Sequence, residues 1–82
     1  MDLSNIKNKI FEILVRDYNL DKHNVSPETL IEVITSSIDL LEFFLMLEKE
    51  FDIQFKYEEM NYDMIKDIDI LSEIILKHID PQ

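Results

Sequence analysis

From Leu3 to Tyr18, the apolar side chains Ile6, Ile10, Phe11, Ile13, Leu14 and Tyr18 include pairs three or four positions apart along the whole segment, with Lys7, Lys9, Glu12 and Arg16 between them. That spacing gathers the apolar positions on one side of a helix and predicts an amphipathic first helix over the segment. The rhythm breaks between Asn19 and Ser36, where the polar cluster Asp21-Lys22-His23-Asn24 is followed by Ser26-Pro27-Glu28-Thr29. This stretch reads as a long loop holding one short helical segment, with Ser26 as its cap and Pro27 at its first position. A second long helix is expected from Ser37 to about Phe51. Thr35 and Ser36 offer oxygens to its first free amides, and Asp39 brings negative charge to its first turn. Ile53-Gln54-Phe55 then alternates in an extended manner, and a short third helix is expected around Tyr57 to Tyr62. Asp67 caps a last helix in which Ile68, Leu71, Ile75 and Ile79 form one stripe. Lys77 and His78 lie near the negative end of its dipole, and Pro81 follows its end.

The second long helix carries more apolar surface than a single buried stripe requires. Projected at about 100° per residue, Leu40, Phe43, Phe44, Leu47 and Phe51 share one arc and form the expected core face. Ile38, Leu41 and Leu45 cluster roughly 140° around from them, flanked by Glu42, Glu48 and Lys49. Such a second arc is either buried because the helix sits centrally among its neighbours or left outward for a partner.

Composition narrows the class. A chain of 82 residues has material for one core, so a single domain spanning 1–82 is expected. It contains no glycine and only two prolines, which disfavours tight hairpins and phosphate-cradling loops and favours an all-α fold of three main helices plus one or two short ones. Eighteen acidic against eight basic residues give a net charge of −10, a field that repels nucleic acid and anionic membrane surfaces and steers basic protein surfaces inward. With no cysteine there is neither a disulfide framework nor a thiolate site. The N-terminal residues lack a basic segment followed by an apolar run, and no stretch approaches the roughly 18 apolar residues needed to span a bilayer, so a cytoplasmic monomer is expected.

The segment from Ser37 to Phe51, beginning Ser37-Ile38-Asp39-Leu40-Leu41-Glu42, resembles without a gap the modified-serine segment and following helix of acyl carrier proteins. The order of a first helix, a long loop, Ile53-Gln54-Phe55 and a closing helix from Ile68 is similar to that family as well. The resemblance implies a small helical carrier bundle that is not itself an enzyme. It implies that a phosphopantetheinyl transferase attaches 4'-phosphopantetheine from coenzyme A to Ser37. The thiol of that arm then carries acyl or aminoacyl groups for fatty-acid, polyketide or nonribosomal-peptide enzymes. It further implies that Ile38, Asp39, Leu41, Glu42, Leu45 and Glu48 meet partner enzymes with basic docking surfaces. Ser36 stands where the family usually has aspartate, the nearby glycine is missing, and Lys49 interrupts the acidic helix. The alternative class is an unmodified acidic interaction module that keeps a carrier fold.

Other chemistry finds little support. A serine hydrolase needs a base and an orienting acid near its nucleophile, but His23 falls in the loop and His78 at the far end of the chain, and no Gly-x-Ser-x-Gly elbow exists. Asp63, Asp67, Asp69 and Glu73 lack the central glycine and ligand spacing of a calcium loop and read as a solvated acidic face. We therefore expect no catalytic residue and no metal site.

Overall fold

The computed structural model of the protein describes residues 2–21, 23 and 29–80. Its helices are α1 (Leu3–Tyr18), α2 (Thr29–Val33), α3 (Ser37–Phe51), α4 (Tyr62–Ile65) and α5 (Ile68–Ile79), with a 3-10 turn at Tyr57–Glu59 and no strand among the described residues. The all-α bundle of three main helices and short pieces is the class read from the sequence. The expected limits of α1 and α3 coincide with the observed ones.

Each long helix begins where a side chain can satisfy its first free amides. Asp2 Oδ1 accepts from the Asn5 amide at 2.9 Å, Ser36 Oγ from Asp39 at 3.1 Å, and Asp67 Oδ1 from Asp69 at 2.8 Å. In a chain without glycine, α1 and α3 end on Asn19 and Asp52, both left-handed with φ of 58° and 54°. These short polar residues tolerate that region better than other non-glycine types.

Between α1, α3 and α5 lies the core. Ile6, Ile10, Ile13 and Leu14 are buried from α1, and Leu40, Phe43, Phe44, Leu47 and Phe51 from α3. Ile68, Leu71 and Ile75 complete it from α5, and Leu30, Ile34, Phe55 and Ile65 close its margins. The buried set of α3 is the arc predicted from helical projection. Helix α1 packs along α5, while α4 bridges α5 and α2. Ser72, the buried polar side chain of α5, is satisfied by donating to Ile68 O at 2.7 Å.

Two regions differ from expectation or escape it. The segment expected as one short helix around Tyr57 to Tyr62 is split into the 3-10 turn and α4, because Asn61 caps α4 through its Oδ1 and the Met64 amide at 3.2 Å. In the long loop a short helix is present as α2, but the Ser26 cap and Pro27 start proposed for it lie outside the described residues. Ile79, read as part of the α5 stripe, is only partly buried at the helix end.

Candidate functional site

Two adjacent serines stand at the start of α3, and the fold gives them different work. Ser36 has extended backbone, with φ of −139° and ψ of 164°. Its hydroxyl accepts from the Asp39 amide and its carbonyl from the Leu40 amide at 3.0 Å. Ser37 is the first helical residue, is exposed, and its hydroxyl makes no hydrogen bond among the described residues. The cap thus occupies the first hydroxyl and leaves the second free. It also explains why serine serves at position 36, since serine and aspartate cap helices about equally well.

The amides of Ser37 and Ile38 have no intrahelical acceptor, as at any helix start. An anionic phosphate ester on Ser37 fits there, against free N–H groups and the positive end of the α3 dipole, with open solvent for anything longer attached to it. Asp39, in the first turn, is half-buried, and its Oδ2 accepts from Thr35 Oγ1 at 3.5 Å.

Beside Ser37 the second arc of α3 faces water. Ile38 is 71% exposed, Leu41 49% and Leu45 51%, while the core arc, centred roughly 140° around the helix, is closed. The alternative that both arcs are buried by a central α3 does not hold in this fold. Glu42 and Lys49 are exposed along one border of the arc. Glu48, on the other border, is half-buried, and its Oε2 accepts from the Phe55 amide at 2.8 Å, so this carboxylate also fastens the chain leaving α3. Tyr18, half-buried at the end of α1, sets its ring edge-on to Phe43 at 6.3 Å. Burial pushes its phenol above the usual value, and the negative charges of Glu42, Asp39 and Asp17 push the same way, so Tyr18 stands in the acidic field around the α3 start. The sequence showed Tyr18 only as part of the α1 apolar set, because nothing local reveals which neighbouring helix it meets.

Neither histidine joins Ser37. His23 is exposed in the loop. His78, read from the sequence as a helix-end residue facing a dipole, does more than that: its Nε2 lies 2.9 Å from Glu59 Oε1 and its ring packs edge-on to Phe55 at 5.4 Å. Burial works against the charge on Glu59, but the Lys56 amide, at 2.8 Å, and His78 together hold its carboxyl below the usual range. Among the described residues no group of three or more histidines and carboxylates is placed to hold a metal ion. Asp63 instead pairs with Lys66 at 2.9 Å, Asp69 pairs with Lys7, and Asp67 caps α5.

The described residues thus form an all-α bundle whose second long helix starts on an exposed serine and carries an outward apolar arc beside it. Two curated relatives, each named "Acyl carrier protein", come from Chlorobium phaeovibrioides (strain DSM 265 / 1930) and Chlorobium phaeobacteroides (strain DSM 266 / SMG 266 / 2430). Both are 31% identical to the chain over 61 residues, covering 72% of this chain and 78% of the relative. The chain belongs to the acyl carrier protein family. No family model matches it, and no solved structure matches it significantly. Among the described residues no helix is long and apolar enough to cross a membrane.

Proposed function

We propose that Ser37 is the attachment point for 4'-phosphopantetheine and that the protein moves acyl or aminoacyl groups between the enzymes of a fatty-acid, polyketide or related biosynthetic route. The observation that carries this reading is the pairing of a free, exposed Ser37 hydroxyl with the exposed arc of Ile38, Leu41 and Leu45 on the same helix. When bound, the group supplies the thiol that a chain without cysteine lacks and holds the cargo as a thioester. The protein's own residues have simpler tasks. Ser36 caps the helix start and so fixes the backbone from which Ser37 projects, and the amides of Ser37 and Ile38 favour the phosphodiester charge. Ile38, Leu41 and Leu45 offer apolar contact to the transferase and the loading enzymes, with Asp39 and Glu42 attracting their basic surfaces, while Glu48, expected among the docking acids, holds the Phe55 amide instead.

The test is intact mass after incubation with coenzyme A and a broad-specificity phosphopantetheinyl transferase. The wild type and Ser36→Ala gain one phosphopantetheine group, and Ser37→Ala gains none. Labelling mapped to Ser36, or no labelling by several transferases, refutes the assignment.

A further inference from the structure

The outward face of α3 changes sign along its length. Near Ser37 it is negative, with Asp39 and Glu42 beside the half-buried Tyr18. Farther on comes the triplet Glu48-Lys49-Glu50, which in the sequence is net negative. Folding redistributes that charge. Glu48 turns a carboxylate oxygen to the Phe55 amide at 2.8 Å, and Glu50 lies 3.6 Å from Lys9 and 3.9 Å from Arg16 on α1. Both acids of the triplet are thus engaged within the protein. Lys49 is left exposed and, among the described residues, in no ion pair. At 1.5 Å and 100° per residue it stands about 10 Å beyond Glu42 along the axis and roughly 20° around it, with Leu45 between the two.

Resting on the docking role proposed above for α3, we infer that the surface docking there has an apolar hollow for Leu41 and Leu45, a basic group opposite Glu42 and an acidic group opposite Lys49, the two about 10 Å apart. A uniformly basic surface is drawn in by the net charge of −10, but on landing it sets a cation against Lys49, and facing like charges select against it. The two signs also fix orientation. A partner with one basic and one acidic border fits only one way round, so its active site meets the Ser37 end of the helix rather than the Phe51 end. Lys49 is therefore a specificity-determining residue of the interface, not a blemish in an acidic helix.

Three designed helical peptides with the same leucine stripe test this. One carries arginines at one end and glutamates seven residues on, the second arginines at both places, the third neutral residues. Each is titrated at 0.15 M salt, where the Debye length is about 8 Å, into the full-length protein, and amide chemical shifts are followed. Rim charge pairs are worth enough that the mixed-charge peptide should bind the wild type about threefold more tightly than the all-arginine one. Lys49→Glu reverses that order, and the shifts centre on Ile38, Leu41 and Leu45. Lys77→Glu, the same charge change at an exposed site on α5, leaves the order as in the wild type. The inference is overturned if the all-arginine peptide binds the wild type best, if Lys49→Glu leaves the order unchanged, if Lys77→Glu reverses it equally, or if no peptide binds at this face. Because the titration uses unloaded protein, failure of Ser37 to accept phosphopantetheine removes the attachment reading and leaves this result standing.

Discussion

Leu47→Ala and Leu41→Ala remove the same atoms from two different faces of the same helix, one buried and one exposed, and their effects should separate. Leu47 is fully buried among the α3 core residues, so truncation removes its contacts and leaves a cavity, a change that costs about 2–5 kcal/mol. A chain of this length holds roughly 4–12 kcal/mol in all, so Leu47→Ala consumes a large part of it. At about 4–8 °C per kcal/mol for a domain of this size, the melting temperature should fall by about 10 °C or more. Leu41 keeps 49% of its surface in water, so it has about half of a leucine's burial to lose, on the order of 1 kcal/mol, and no closed cavity to leave. Its melting temperature should drop by about 4–8 °C at most, while loading by the transferase slows several-fold because an interface contact is gone. Circular-dichroism melts paired with loading rates measured by intact mass provide both readouts. If Leu41→Ala melts as low as Leu47→Ala, the outward arc is part of the core and the docking face must be given up. If it melts and loads like the wild type, the arc is exposed but idle in loading.

Ser36→Ala removes the α3 cap and should cost about 1 kcal/mol in denaturant unfolding, with loading retained, whereas Ser36→Asp should restore the stability. Glu48→Ala strips the acceptor from the part-buried Phe55 amide and should lose about 1–3 kcal/mol, most of which Glu48→Gln recovers because a carbonyl oxygen remains; equal losses in both variants would show that the charge, not the hydrogen bond, is what counts. Glu59 is held below its unfolded value, so its stabilising contribution is present above the ordinary glutamate value, about 4.3, and is lost as pH falls through the folded value. The stability difference between the wild type and Glu59→Gln should therefore shrink as pH is lowered below about 4.3, and a difference that grows there would contradict the assignment.

The parts of this fold written in local spacing were legible from the residues. Ile6, Ile10, Ile13 and Leu14 on α1, and Leu40, Phe43, Phe44, Leu47 and Phe51 on α3, follow from helical periodicity because each helix sorts its own side chains. The preference for Ser37 over Ser36 came from resemblance; the sequence offered both Thr35 and Ser36 as caps for α3, and the structure gives that role to Ser36. What stayed hidden depends on pairs far apart in the chain. Glu48 read as a docking acid on the border of the second arc, yet its partner is the amide of Phe55; His78 read as a helix-end residue, yet it meets Glu59, 19 positions away, and Phe55. The break between the 3-10 turn and α4 was missed because Asn61 can either continue a polar turn or start a new helix, and only the Met64 amide settles which.

The ends of α1 and α3 have a consequence for the unfolded chain. A sequence with no glycine has a denatured ensemble with fewer backbone states than usual, so ordering it costs less entropy. The cost reappears at Asn19 and Asp52, which hold positive φ with a side chain attached. Glycine at either position would relieve the native backbone and at the same time loosen the unfolded one, two changes of about 1 kcal/mol that oppose each other. These two joints should accordingly be quiet toward glycine and intolerant of valine or isoleucine, whose branched Cβ cannot share that backbone shape.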